Sequence, residues 1–320
     1  MKTIGVITSG GDSPGMNAAI RAVVRSAIYY GLKVYGIERG YEGLINGDIR
    51  EMNVASVSDI IQRGGTILRT ARSEDFMTSD GFNRAVDMLT NFEIGGLVVI
   101  GGDGSLRGAL KLSQEGVTIM GLPGTIDNDL GFTDFTIGFD TAVNTVLSSV
   151  SNIRDTSSSH GRSTVVEVMG RNCGDIALYA GLAGGAEYIL IPEKEVDINA
   201  LCRKIVQGKN RGKLHSIIIR AEGVKMDSNE LASLISQRTG LETKVVVLGY
   251  TQRGGSPTAR DRLLASKMGY RAVELLKADS TSRAIGIRGI QVVDYDLVEA
   301  MDMKRSLNME LLELADILSI

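Results

Sequence analysis

The feature that most constrains this chain is its opening. Residues 3–8 (Thr-Ile-Gly-Val-Ile-Thr) read as a buried strand, and Ser9-Gly10-Gly11-Asp12-Ser13-Pro14-Gly15 as a glycine loop. A helix follows, with Met16, Ala19, Ile20, Val23, Val24, Ala27 and Ile28 on one face at a 3.6-residue period. Gly31 ends it, and residues 33–37 begin a second strand. Strand, glycine loop, helix, strand is the βαβ unit of an open parallel sheet.

The rest of the sequence repeats that theme. Short, continuous apolar runs at 97–100, 117–122, 164–169, 188–191, 215–221, 244–249 and 284–287 are expected as strands with helices over both faces. Helices are expected between them at 139–153, 174–183, 228–238 and 257–277. Residues 155–162 (Asp-Thr-Ser-Ser-Ser-His-Gly-Arg) read as a long polar loop, either a mobile surface segment or a hinge carrying Arg162. The fold class is α/β, two Rossmann-like domains, each a mainly parallel sheet flanked by helices. Glycine stands out, at 39 residues against four prolines. Many of these glycines follow strands, where a backbone turns tightly or approaches a ligand.

A net charge of −3 leaves no nucleic-acid or membrane-surface footprint. No apolar run approaches the ~20 residues of a membrane span, and no signal pattern precedes the first strand. Cys173 and Cys202 form neither a disulfide framework nor a metal cluster, and reduced buried thiols in the cytosol are the plain reading.

Chemistry concentrates at strand ends. Leu97–Ile100 runs into Gly101-Gly102-Asp103-Gly104-Ser105, and 117–122 into Pro123-Gly124-Thr125-Ile126-Asp127-Asn128-Asp129. Two adjacent parallel strands ending in glycine and aspartate set a hard oxygen ligand for Mg²⁺ and a proton acceptor on one rim. Asp103 also fits simple capping of the next helix. Gly10-Gly11 ahead of a helix suits an anion, or a plain turn. No Walker A pattern exists, and Arg107 replaces the third glycine of a dinucleotide fingerprint. Gly170-Arg171, Glu222-Gly223 and Gln252-Arg253-Gly254-Gly255 follow later strands and suit a sugar phosphate, or only scattered salt bridges. Lys209, Arg211, Lys213 and His215 form a basic turn, either a solvated face or a second phosphate site.

Thr8 to Asn17, Gly101 to Ser105, Pro123 to Asp129, Met169-Gly170-Arg171 and Gln252 to Gly255 together resemble the bacterial ATP-dependent phosphofructokinases, in order and over essentially the whole chain. The resemblance implies that Asp127 accepts the proton of the 1-hydroxyl of fructose 6-phosphate, with Arg72 and Thr125 stabilising the transferring group. It implies ATP binding by Gly11, Tyr41, Arg72, Gly102, Asp103, Gly104 and Ser105, and Mg²⁺ held by Asp103 and Asp129. The sugar phosphate would meet Thr125, Asp127, Arg162, Met169, Gly170, Arg171, Glu222, Lys244, Tyr250 and Arg253. Arg21, Arg25, Arg154, Gly185, Glu187, Arg211, Lys213 and His215 match an effector site where ADP activates and phosphoenolpyruvate inhibits. Arg162 would act on a neighbouring subunit's substrate, implying a cytoplasmic homotetramer. The implied division is 1–138 plus 251–301 for ATP, and 139–250 plus 302–320 for the sugar phosphate.

Three positions depart from the family pattern. Lys244 replaces an arginine, Tyr250 a histidine, and Gly161 a carboxylate or amide residue. The first two predict weaker sugar-phosphate binding, the third blunted inhibition by phosphoenolpyruvate. Gly104 and Gly124 favour ATP, because pyrophosphate-dependent relatives usually carry Asp and Lys there. A kinase of another ketose phosphate and a non-catalytic sugar-phosphate or nucleotide sensor stay as alternatives. A dehydrogenase lacks a complete fingerprint.

Overall fold

The computed structural model describes residues 1–319. In chain order the elements begin with β1 (Thr3–Ser9), α1 (Met16–Tyr29), β2 (Lys33–Ile37), α2 (Gly40–Asn46) and β3 (Ile49–Glu51). Next come α3 (Ser79–Asn91), β4 (Gly96–Gly101), α4 (Asp103–Gln114), β5 (Thr118–Pro123) and α5 (Phe139–His160). Then follow β6 (Ser163–Val168), α6 (Asp175–Ala183), β7 (Tyr188–Leu190), α7 (Ile198–Asn210), β8 (Ser216–Ala221) and α8 (Ser228–Thr239). The chain closes with β9 (Thr243–Val247), α9 (Ala259–Lys277), β10 (Arg283–Arg288), β11 (Gln291–Asp296), α10 (Leu297–Asp302) and α11 (Met309–Leu318).

Two compact units result. The first comprises Met1–Ile126, Leu130–Thr141 and Arg253–Arg305; the second comprises Asp127–Asp129, Ala142–Gln252 and Ser306–Ile320. The chain passes from the first to the second within α5, after Thr141.

The first unit is built on a sheet of order β11-β10-β5-β4-β1-β2-β3. Its pairings are parallel except at the two edges, β10–β11 and β2–β3. Strands β1 and β4 are buried along their whole length, which explains why they read as unbroken apolar runs. Alternate side chains serve two cores. Ile4, Val6, Val98, Ile100, Met120 and Leu122 meet α1 and α9 on one face. Ile7, Leu97, Val99 and Ile119 meet α2 and α4 on the other. Each such aliphatic side chain contributes about 1.5–3 kcal/mol when fully buried. The in-register pairs Ser9↔Gly101 and Gly101↔Pro123 bring the ends of β1, β4 and β5 level on one rim.

The second unit has an all-parallel sheet of order β7-β8-β6-β9. One expectation fails here. Residues 155–160 are not loop: α5 runs on to His160. Its Ser149, Ser151 and Ser159 hydroxyls donate to carbonyls four residues back, so the polar side chains turn onto the helix instead of breaking it. Gly161, at φ 60°, ends it. Cys173 and Cys202 are both buried and in no disulfide. Among the described residues, no helix is long and apolar enough to cross a membrane.

Candidate active site

In the first unit the rim is built from three backbone turns. After β4, Gly102 stands at the N-cap and Asp103 opens α4. The unpaired N–H groups of that first turn favour an anion. Asp103 does not cap the helix, since the N-cap has no side-chain hydrogen bond. Its carboxylate, 38% exposed, pairs with Arg107 at 3.0 Å. The loop after β1 lies beside this turn: a Cβ on Gly10 would fall 2.9 Å from the Ser105 hydroxyl. Gly10-Gly11 is not itself a helix start, because α1 begins only at Met16, behind Gly15. The third piece is the segment 66–72. Thr70 donates to the Gly10 carbonyl at 2.6 Å and Thr8 to the Arg69 carbonyl at 2.8 Å. This segment carries Arg72, which is exposed.

Thr125 is buried, and its Cβ would lie 3.4 Å from a Cβ on Gly102. Thr136 donates to its carbonyl at 2.6 Å. Arg253 brings its guanidinium to 3.5 Å from where a Gly11 Cβ would stand. Tyr41 is buried, stacked on Phe76 with centroids 4.1 Å apart, and donates to the Ser105 carbonyl at 2.6 Å. Burial pushes its phenol pKa up. Tyr41 therefore braces the Ser105 turn with its hydroxyl. Beyond it, a cleft of about 360 Å³ is lined by Phe76, Phe82 and Lys111 among others; none of the three was predicted from sequence.

The two discriminating glycines differ. A Cβ on Gly104 meets nothing within 4 Å, whereas one on Gly124 would come 2.8 Å from the Ile100 methyl. Gly104 leaves open space, and a side chain at Gly124 would crowd Ile100 and Met16.

In the second unit, Asp127 is 4% exposed, and its Oδ2 lies 3.2 Å from Arg171 Nε. Asn128, at φ 53°, donates to Asp175 at 2.7 Å and thereby fixes the bend between Asp127 and Asp129. Asp129 is half-buried. The loop after β6 is held from two sides. Met169 N–H donates to Gln252 Oε1 at 3.1 Å. The N–H groups of Gly170 and Arg171 donate to Glu222 Oε1 at 3.2 and 2.8 Å. Gly170 sits at φ 133°, and a Cβ there would fall 2.5 Å from the Cys173 carbonyl oxygen. Only glycine suits it.

Arg162 follows Gly161, with its Nε buried and unpartnered. Lys244 is exposed and paired with Glu242 at 2.5 Å, and Tyr250 is 78% exposed.

The predicted effector residues divide between the units. Arg21 and Arg25 lie on α1 of the first. Burial, then the Arg25 charge, lowers the Arg21 pKa. The second unit gathers the others. Glu187 is buried, paired with Lys213 at 2.6 Å and with Arg154 at 3.9 Å. Arg154 donates to the Gly185 carbonyl at 3.1 Å and lies 3.4 Å from His215 Nε2. Burial lowers the His215 pKa, Arg154 and Lys213 lower it further, and Glu187 opposes them. Arg211 is exposed nearby in sequence. A cavity of about 190 Å³ is lined by Arg162, Ser163, Lys209, Lys213 and His215 among others.

Sequence reasoning passed over Asn128, Asp175 and Arg220. Only Arg220 left a trace, as a charge inside the apolar run Ser216–Ala221.

Comparison with known proteins places this arrangement. Residues 3–276 match the family model described as Phosphofructokinase. A curated ATP-dependent 6-phosphofructokinase of Alkaliphilus metalliredigens is 62% identical over 320 residues, covering 100% of both chains. One of Clostridium botulinum (strain Loch Maree / Type A3) is 60% identical over 319 residues, again covering 100% of both. Among solved structures, phosphofructokinase from Saccharomyces cerevisiae gives a TM-score of 0.92 at 37% identity. It is matched over 100% of this chain and 48% of its own, so this chain spans about half of it. A pyrophosphate-dependent phosphofructokinase from Marinobacter aquaeolei gives 0.87 at 24% identity, over 97% of this chain and 86% of its own, a likeness of fold.

Proposed function

The chain belongs to the phosphofructokinase family, and from that premise we propose how its residues divide the work of phosphorylating fructose 6-phosphate with ATP. The reaction moves the γ-phosphoryl group of ATP to the sugar's 1-hydroxyl, a step of glycolysis. The observation that carries the reading is full-length similarity to ATP-dependent 6-phosphofructokinases at 62% identity.

The first unit is the ATP-binding domain. The Gly11 loop and the Gly102–Ser105 turn offer N–H groups to the phosphates, and Gly104 leaves them room. The Phe76 and Phe82 cleft gives the base an aromatic wall. Asp103 supplies a hard oxygen of the kind Mg²⁺ takes, and Asp129 is the second carboxylate of this reading. Among the described residues no group of three or more His, Cys, Asp or Glu forms a metal site. When bound, Mg²⁺ offsets negative charge on the phosphate oxygens.

The second unit is the sugar-phosphate domain. Asp127 takes the 1-hydroxyl proton as that oxygen attacks the γ-phosphorus in line, and ADP leaves. Arg171 holds the Asp127 carboxylate in a fixed orientation. Arg72 and Thr125 meet the charge on the transferring group. Met169, Gly170, Arg171, Glu222, Lys244, Tyr250 and Arg253 hold the sugar phosphate, with Arg162 acting on a neighbour's substrate in a homotetramer. The Arg154, Glu187, Lys213 and His215 cluster, with Gly185, Arg211, Arg21 and Arg25, takes ADP or phosphoenolpyruvate. The cell compartment is the cytoplasm.

Asp127→Ser should lower kcat by about 10²–10⁴-fold, the usual worth of a general base, with fructose 6-phosphate binding largely kept. Steady-state kinetics and a binding titration decide it, and equal loss of both assigns Asp127 a binding role only. A second reading, a kinase of a different ketose phosphate, draws on Lys244 and Tyr250. A phosphosugar panel separates the two.

A further inference from the structure

Among the buried ionisable residues of the second unit that none of these roles uses is Arg220. Arg220 stands in β8, every residue of which is buried, and its side chain is 5% exposed. A buried guanidinium costs several kcal/mol unless close partners offset it. Its Nη1 lies 2.9 Å from Glu167 Oε2. Its Nε donates to the Met226 carbonyl at 2.8 Å, and its Nη2 to the Val224 carbonyl at 2.7 Å. The parallel register sets Glu167 directly opposite, and Ser228 donates to the same Glu167 oxygen at 2.6 Å. One side chain thus ties two carbonyls of the turn 222–226 to the sheet beneath.

That turn begins with Glu222, which accepts the N–H groups of Gly170 and Arg171. Its Gly223 backbone lies so close that a Cβ there would fall 2.1 Å from the Arg171 carbonyl oxygen. Arg171 is itself held at φ 52°, a left-handed conformation that a non-glycine residue adopts only under constraint. Arg171 Nε in turn lies 3.2 Å from Asp127. Arg220, the turn, Glu222, Arg171 and Asp127 form one unbroken series of contacts, all in the second unit.

We propose that Arg220 is a positioning residue for the reaction: by anchoring the 222–226 turn it sets Glu222 and, through it, the Arg171–Asp127 pair. This rests on the site reading above.

The test is the double variant Arg220→Met with Glu167→Met. It removes both charges together and fills their space, so no lone charge stays buried, while the Val224 and Met226 carbonyls lose their donor. The expected result is a cooperative unfolding transition at a lowered Tm, a KM for fructose 6-phosphate raised about tenfold, and an unchanged KM for ATP. Unchanged values for both substrates overturn the proposal. If the double variant does not fold, Arg220→Lys carries the test. Lysine keeps the charge beside Glu167 but cannot span the carboxylate and both carbonyls, so a smaller rise in the sugar KM is expected, and none overturns the proposal. Glu222→Ala separates the two levels. A raised sugar KM there, with normal values in the Arg220 variants, removes Arg220 from the series. An unchanged sugar KM in Glu222→Ala overturns the site reading itself.

Discussion

Lys244 and Tyr250 are the residues where this chain departs from its family at the proposed sugar-phosphate contacts. Lys244 is half-exposed and paired with Glu242, so binding an anion has to compete with that pair. Tyr250 can offer one hydrogen bond but no positive charge near neutral pH. Replacing both, Lys244→Arg with Tyr250→His, restores a planar two-point donor and a titratable ring. The KM for fructose 6-phosphate should fall roughly fivefold, the worth of about 1 kcal/mol of hydrogen bonding. An unchanged or higher KM contradicts it. At this scale much of the proposed site was legible in the sequence. Asp103 and Asp127 announce themselves because a carboxylate after an apolar run ends a strand at a rim. Arg107 and Arg171, the cations that hold these acids, were named for other reasons, since which carboxylate a long side chain meets is decided by folding. Arg220 went unread because one charge in a short apolar run looks like an edge, not a clamp.

Helix α5 shows what an element adds. Its N-terminus is held by Asp261 from the first turn of α9, which accepts from Gly138 N–H at 3.0 Å and Thr141 N–H at 2.8 Å. Burial raises the Asp261 pKa from 3.8 to about 6, against these hydrogen bonds. A carboxyl whose folded pKa lies above its unfolded one favours the fold when protonated. Its contribution is complete below about pH 4 and is lost as pH rises through about 6. The stability difference between the starting protein and Asp261→Ser should therefore shrink by on the order of 3 kcal/mol across that window. Urea unfolding at pH 4, 5, 6 and 7 measures it, and a constant difference refutes the assignment. At the other end of the helix, the serine-rich stretch to His160 was expected as loop. Composition alone does not reveal that hydroxyls can fold back onto their own helix. Gly170 tests the loop after β6. Gly170→Ala adds a Cβ 2.5 Å from a carbonyl oxygen at φ 133°, so a loss of about 1–3 kcal/mol is expected, together with a raised sugar KM. Wild-type unfolding and kinetics would show that the loop yields freely.

At the scale of the whole molecule, the α/β class followed from the opening βαβ unit and its repeated apolar runs. The edge strands β3 and β11 did not, being short or half-exposed, and α2, α3, α7, α10 and α11 went unpredicted, so that Lys209, expected in a turn, lies in the last turn of α7. The homotetramer proposed from the role of Arg162 makes its own prediction. Asp127→Ser and Arg162→Ala chains, each nearly inactive, should recover activity when dissociated and reassembled together, because a mixed assembly contains sites with both residues intact. No recovery from verified mixed tetramers argues for Arg162 acting within its own chain. One further consequence comes from how the two units are threaded. The first needs Arg253–Arg305 and the second needs Ser306–Ile320, yet α1, whose apolar face α9 covers, leaves the ribosome long before α9 does. With translation at about 5–20 residues per second, that greasy surface waits many seconds for its cover, and neither unit is complete until late segments of the chain have been made. Maturation of both units thus waits on those late segments, and chains terminated before α9 should be chaperone clients instead of working fragments.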